Sequence, residues 1–463
     1  MSQRTSLAGP AESLTQKPAG ADSVAESNGA PQPLTTAAPE GDRKPGMQNV
    51  SVLGIILAGG KGERLYPLTK DRSKPAVPFG GKYRIIDFVL SNFVNSGIYS
   101  IYVLTQFMSQ SLLQHLRDGW QFSNLLKNQF ILPVPAQMRK GPVWYEGTSD
   151  AIFQNLHLLK LANPQYVAVF GADHVYRMDV RQMLAYHREK QAQGTVAALP
   201  IPVSEAAQFG TMEIDENWRI VAFREKVSDP PQIPGRPGWT LASMGNYVFD
   251  GEVLIDELRR DDAHPDSSHD FGKNILPSMI HRHPIYAYDF KTNIVPGETE
   301  ESRGYWRDVG MLDTYYEANM DLRSIKPTLN LYNRLWPLRT AEYPEGPAKF
   351  TFNEDGRRGQ ALNSILSEGC IIAGGTVLES VLGRRVFVDN GAEICDSIVL
   401  DNCTIGAGAK LRRTIVDKNA RIQPGTHIGY DLEHDRKFHH VTDSGIVVVE
   451  GHRSPIPLSP VVI

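Results

Sequence analysis

The hydrophobic pattern sets out two different folds along one chain. Val52 to Leu57 is an apolar run short enough for one buried strand, and it passes directly into Ala58-Gly59-Gly60-Lys61-Gly62. Tyr166 to Phe170 and Thr195 to Leu199 have the same strand character, and Ile101 to Leu104 is a short β-rich run. Helical spacing appears between them. Ile85, Ile86, Val89 and Phe93 mark a helix over Arg84 to Asn95 that stops at Gly97 as a C-cap, and Ile152, Leu156 and Leu159 mark another over Thr148 to Leu161. Alternating strand and helix signals from Ser51 to about Asp321 predict a mostly parallel α/β sheet with helices on both faces. Ligands in such sheets sit at the carboxyl ends of strands, where Gly59-Gly60 and Asp173 both fall.

From about Ile365 the period changes. Val377, Ile394, Leu411 and Ile428 are 17 residues apart; so are Val388, Ile405 and Ile422, with Ile371 assigned to the same column, and so are Leu382, Val399 and Val416. Within a coil the apolar residues step by six, as in Leu382, Val388 and Ile394. A Ser/Thr-[IV]-[LV] marker recurs at Ser364, Ser380, Ser397 and Thr414, the first offset by one. This is the sign of a parallel β-helix, whose coils bury their inward side chains only by stacking. The expected division is a disordered tail over residues 1–48, an α/β domain over 49–321, a proline-containing connector over 322–363 and the β-helix over 364–463. The tail is read as disordered from its Ala, Pro, Ser, Gly and Thr content and its lack of a secretory apolar core.

Composition narrows the class. The 463 residues carry a net charge of −4, which argues against a general nucleic-acid binder. No stretch approaches 18 consecutive apolar residues, so no membrane span is expected. Cys370, Cys395 and Cys403 are the only cysteines and form no CxxC pair, which speaks against a disulfide framework or zinc site and for a reducing, cytoplasmic setting.

The chemistry concentrates after the first strand. Gly59, Gly60 and Gly62 let backbone N–H groups approach a phosphate without Cβ interference. Lys61, Arg64, Lys70, Arg72 and Lys74 follow within a few residues, and glycine backbone plus fixed cations is what a triphosphate needs. The pattern is neither a Walker A nor a Rossmann fingerprint, and two glycines alone would read as a flexible turn. A bound triphosphate commonly also brings a divalent ion held by one or two carboxylates. Asp173, after a buried strand and a Gly-Ala, and Asp308, in Tyr305-Trp306-Arg307-Asp308, are the candidates, although either alone is more often a turn or capping residue. Arg64 and Lys74 are candidates for the β- and γ-phosphates of such a triphosphate. His174 is read as structural.

The stretches LAGGKGERLYPLT and SKPAVPFGGKYRIIDFVLSN resemble the signature of the sugar-nucleotide pyrophosphorylases, and more closely that of the bacterial glucose-1-phosphate adenylyltransferases. The resemblance covers roughly residues 50 to 450. It implies a Rossmann-like nucleotidyltransferase domain followed by a left-handed parallel β-helix, adenylyl transfer from ATP to α-D-glucose 1-phosphate for glycogen synthesis, Mg²⁺ shared by Asp173 and Asp308, and a homotetramer. Lys226, in Phe223-Arg224-Glu225-Lys226, matches the FxEKP element that binds the sugar phosphate, with Val227 where the family has proline. The resemblance also carries Tyr145, Gly210, Glu225 and Ser243 as sugar-phosphate contacts, Gln137 and Gly147 toward the base, and His269 to Gly272 toward the sugar pocket. For regulation the enteric pattern places a Lys-Arg pair and a histidine after PLT; this chain has Asp71-Arg72 and Pro78, while Arg84 still matches. Arg72, Arg84, Arg412 and Arg413 are the candidates for a phosphorylated effector, although the β-helix cations, including Arg384, Arg385 and Arg421, are equally readable as solvated surface. Competing readings are a pyrophosphorylase for another sugar nucleotide, a non-catalytic regulatory subunit on the same fold, and acyl transfer by the β-helix. The presence of Arg64, Lys74, Asp173, Lys226 and Asp308 together favours the active enzyme.

Overall fold

The computed structural model describes residues 50–122, 128–354 and 357–451. The 1–48 tail expectation lies outside these residues. The first strand, Val52–Ala58, is an interior strand of a nine-stranded sheet. Its neighbours Ser100–Thr105 and Tyr166–Gly171 run parallel to it, pairing Leu57 with Leu104 on one side and with Gly171 on the other. Alternate residues serve opposite cores. Leu53 and Ile55 pack on one face with Leu104 and Val169, while Ile56 and Ala58 pack on the other with Val103 and Phe170. Burial on both faces explains why these strands read as continuous apolar runs. Each fully buried Ile or Leu of this kind contributes roughly 1.5–3 kcal/mol.

The sheet is mixed rather than mostly parallel. The twelve-residue strand Trp239–Asp250 runs antiparallel to Tyr166–Gly171, to Gly194–Pro202 and to Gly210–Ile214, and Ile220–Glu225 completes that half. The helix Ile85–Asn95 forms where expected. Asp87 accepts from the Arg84 backbone N–H at 2.8 Å at its start, and Gly97 takes φ 77° just past its end. The helix expected over Thr148 to Leu161 is two helices, Thr148–Phe153 and Leu156–Ala162. Buried Asn155 interrupts it, donating through Nδ2 to the Ala151 carbonyl and to the Tyr145 hydroxyl, each at 2.9 Å.

The C-terminal part is a left-handed parallel β-helix of three sheets. Val377↔Ile394↔Leu411↔Ile428, Val388↔Ile405↔Ile422 and Leu382↔Val399↔Val416 are in register as the 17-residue period predicts. The first coil differs. Ile372, not Ile371, pairs with Val388 and is buried, while Ile371 is exposed. That coil is one residue shorter, so a strict 17-residue count lands one residue early and selects a side chain on the outer face. Stacking also starts earlier than the periodicity suggests: Lys349–Thr351 and Gln360–Leu362, inside the stretch read as a connector, already pair with later coils.

A third core joins the sheet domain to the β-helix, with Leu65, Phe79 and Tyr315 packed among Val381, Ile398, Ile415 and Val448. Polar bonds cross the same junction: the Tyr316 hydroxyl donates to the Asp396 carbonyl at 2.6 Å, and Arg72 donates twice to Asp417, both at 2.8 Å. Cys370, Cys395 and Cys403 are unpaired. Among the described residues no helix is long and apolar enough to cross a membrane.

Candidate active site

A cleft of 850 Å³ opens at the carboxyl ends of the parallel strands. It brings together Gly59, Gly60, Gly62, Arg64, Lys74, Tyr145, Gly147, Asp173, Gly210, Glu225, Lys226, Ser243 and Asp308. Of the residues expected at the substrates, Gln137 and His269 are not on its wall; the Gln137 side chain accepts from Arg139 at 3.1 Å.

The glycine loop is shaped by its neighbours. Gly62 has φ 66°, and a Cβ there would sit 2.8 Å from the Lys74 Cβ, so only glycine lets the loop close over that lysine. Lys74 opens the short turn Lys74–Ala76 and is buried. Its ammonium bonds Asp173 Oδ2 at 3.1 Å and Asp308 Oδ1 at 2.7 Å. Arg64 approaches Asp308 Oδ2 at 3.6 Å from the solvent side, leaving most of its guanidinium exposed to the cleft. Burial works against the charge of Lys74, but Asp173 and Asp308 outweigh it and raise the pKa above the ordinary lysine value. Burial likewise would raise the Asp173 carboxyl; His174 and Lys74 overcome that and hold it well below the usual carboxylate range.

The two carboxylates converge because short strands carry them. Asp173 precedes the strand His174–Tyr176, which pairs antiparallel with Trp306–Asp308 so that His174 opposes Asp308. Ligand atoms of Asp173, His174 and Asp308 all lie within 4.8 Å of one another. Carboxylate oxygens in this arrangement fit a hard divalent cation.

The sugar side is built on the antiparallel half of the sheet. Glu225 ends the Ile220–Glu225 strand, and its Oε2 would be only 2.6 Å from a Cβ at Gly210 and 2.8 Å from one at Gly272. Lys226 has φ 52°, is largely exposed, and lies 3.6 Å from Glu225 Oε1. Ser243 accepts from the Gly245 backbone N–H at 3.3 Å. Gly147 is packed against the Ser268–His269 backbone, where a Cβ would lie 2.1 Å from the His269 carbonyl oxygen. Asp270, Phe271 and Gly272 line the cleft; His269 stands behind it, with Nδ1 2.9 Å from Asp261 Oδ2.

Sequence reasoning missed Gln106. It follows the Ser100–Thr105 strand, lines the cleft and holds the Tyr145 backbone from both sides, accepting from its N–H at 2.7 Å and donating to its carbonyl at 3.3 Å. Its place at a strand end was the available signal. Phe209, Phe223, Tyr247 and Trp306 also line the cleft without having been singled out for it.

The candidate effector cations separate. Arg72 is buried and matched by Asp417. Arg84 donates to the Ser111 carbonyl at 2.8 Å and to its hydroxyl at 3.0 Å. Lys418, missed in the sequence, is close enough to both arginines that burial and their charges push its pKa down to about 8. Arg413 instead donates to the Ser444 carbonyl at 3.2 Å and lies over the Tyr316 ring, and Arg412 is exposed on the β-helix.

Comparison with known proteins adds the following. Residues 53–325 match the nucleotidyl transferase family model, and residues 346–449 match the GlmU-like C-terminal hexapeptide model. A glucose-1-phosphate adenylyltransferase of Anaeromyxobacter sp. (strain Fw109-5) is 52% identical over 401 residues, covering 86% of this chain and 97% of that protein. Similar figures hold for glucose-1-phosphate adenylyltransferase 1 of Vibrio vulnificus (strain YJ016), at 52% over 398 residues with 86% and 97% covered. The glucose-1-phosphate adenylyltransferase of Thermus thermophilus is 53% identical over 414 residues, with 88% and 100% covered.

Proposed function

The chain belongs to the glucose-1-phosphate adenylyltransferase family, and on that premise we propose that it transfers the adenylyl group of ATP to α-D-glucose 1-phosphate, giving ADP-glucose and diphosphate for glycogen synthesis. The observation that carries the reading is the Lys74 ammonium seated between Asp173 and Asp308 beneath the glycine loop.

The phosphate of the sugar substrate is already a nucleophile, so no general base is needed. Its oxygen attacks the α-phosphorus in line, and the bond from that phosphorus to the bridging oxygen of the leaving diphosphate breaks. Gly59, Gly60 and Gly62 admit the triphosphate to backbone N–H groups. Arg64 and Lys74 take the β- and γ-phosphates and the charge that grows on the diphosphate. Lys226 holds the sugar phosphate, and Tyr145, Gly210, Glu225 and Ser243 orient the sugar, so that attack starts from an aligned pair. Gly147 lies toward the base, and Gln137 reaches it only if its loop moves in from outside the cleft wall. Asp173 and Asp308 would hold a divalent ion, Mg²⁺ in this reading, which supplies charge neutralisation on the nucleotide phosphates.

The same reading includes a cytoplasmic homotetramer and a phosphorylated metabolite as effector. Arg72 and Arg84, with Lys418 beside them, carry the effector role better than Arg412 and Arg413, because they cluster at the junction of sheet and β-helix. An anion there competes with Asp417 for Arg72. Initial rates titrated with phosphorylated sugars and acids test this; no response at any concentration contradicts it. The catalytic reading is tested by diphosphate release with glucose 1-phosphate, Mg²⁺ and single nucleoside triphosphates.

A further inference from the structure

His174 has an arrangement that a purely structural role does not use. It is directly opposed to Asp308 across the His174–Tyr176 and Trp306–Asp308 ribbon, and opposed residues of an antiparallel pair present their side chains on one face. Trp306, two residues away on the same face, fixes the imidazole with ring centroids 4.7 Å apart. Asp173 is the adjacent residue, and its Oδ1 lies 3.5 Å from His174 Nδ1. That nitrogen is shielded from solvent and has no hydrogen-bond partner among the described residues. A buried ring nitrogen left without a partner calls for a reason.

The spacing supplies one. With metal–ligand bonds of about 2.1 Å, neighbouring donors of an octahedral ion stand ~3.0 Å apart and opposite donors ~4.2 Å apart. The Nδ1 to Asp173 Oδ1 distance of 3.5 Å lies between those two values, and one donor atom each from Asp173, His174 and Asp308 lie within 4.8 Å of one another, so small side-chain shifts bring the set to that spacing. We infer that His174 Nδ1 is a third protein ligand of the divalent cation held by Asp173 and Asp308. The inference rests on the carboxylate reading of the proposed function and extends it. Its chemical consequence is a choice of metal: two carboxylates and an imidazole suit Mn²⁺ better, relative to Mg²⁺, than two carboxylates alone.

The test uses the full-length protein labelled with ¹⁵N at histidine only, loaded with Mn²⁺ in the presence of ATP and without sugar phosphate. Pulsed electron paramagnetic resonance reads couplings between the Mn²⁺ electron spin and directly bound nitrogen. A ¹⁵N coupling in the wild type that disappears in His174→Phe, which keeps an aromatic ring against Trp306, is the expected result. The affinity for Mn²⁺ is expected to fall about tenfold or more in that variant, and that for Mg²⁺ by less. Mn²⁺ binding that Asp173→Asn weakens but that shows no ¹⁵N coupling overturns the histidine assignment and leaves the carboxylate reading standing. Mn²⁺ binding unchanged by Asp173→Asn and Asp308→Asn overturns the carboxylate reading, and this inference with it. The wild-type spectrum alone decides the nitrogen question should His174→Phe not fold.

Discussion

Lys74 Nζ lies 2.7 Å from Asp308 Oδ1, although 234 residues of chain separate them. The contact closes the sheet domain around its cleft and joins the loop that follows the first strand to the short strand that ends at Asp308. Because Lys74 is buried and faces two carboxylates, its removal leaves like charges opposed. Lys74→Met is therefore expected to lower the melting temperature and to reduce kcat by ~10²-fold or more, since it removes charge stabilisation that grows as diphosphate leaves. Steady-state rates with calorimetry on the same samples check both parts. A variant that keeps wild-type kcat contradicts the role given to Lys74.

Asp173→Asn keeps the shape of the side chain and removes its charge. Turnover is expected to fall by orders of magnitude, with the circular dichroism spectrum unchanged. Near-wild-type activity in Mg²⁺ removes Asp173 from the metal site.

Lys226 is mostly exposed, and its ammonium lies 3.6 Å from Glu225 Oε1. Lys226→Ala is expected to raise the KM for glucose 1-phosphate, by tenfold or more if a charge-assisted bond worth ~1.5–3 kcal/mol is lost, with kcat changed little, because the contact exists before and during reaction. A raised KM for ATP with an unchanged one for the sugar phosphate reverses the assignment.

Lys418 gives a pH prediction. Burial, with Arg72 and Arg84, brings its pKa down to about 8, whereas in the unfolded chain it titrates near 10.5. Below pH 8 it is charged in both states, and the folded protein carries the full cost of that charge. Between pH 8 and about 10.5 the unfolded chain binds more protons, so this contribution to stability rises with pH. Lys418→Met is therefore expected to unfold at higher temperature than the wild type at pH 7, with the gap closing as pH rises through that window. A gap that is constant with pH contradicts the buried charge.

Legibility in the sequence followed local chemistry. The glycine loop and its cations stood out because a phosphate site needs glycine and positive charge within a few residues. The β-helix stood out because stacking repeats one inward position every coil, and Ile372 was missed because one shorter coil defeats a fixed count. The antiparallel half of the sheet was not visible: Trp239–Asp250 mixes Ser243, Gly245 and Asn246 into its run, since it lines the cleft as well as filling the core. Gln106 and Lys418 act through partners distant in the chain, Tyr145 and the Arg72–Arg84 pair, which no local pattern announces. Asp173 and Asp308 were candidates from their local contexts, but only the family resemblance joined them in one metal site, because the ribbon that pairs them is a tertiary feature.

The most direct test of the account is diphosphate release by the purified protein with glucose 1-phosphate and Mg²⁺, offering ATP, UTP and dTTP one at a time. Release with ATP well above the other two is the predicted result. Preference for UTP or dTTP would keep the mechanism and contradict the adenylyl assignment, and no release from folded protein with any of them would point instead to a regulatory subunit.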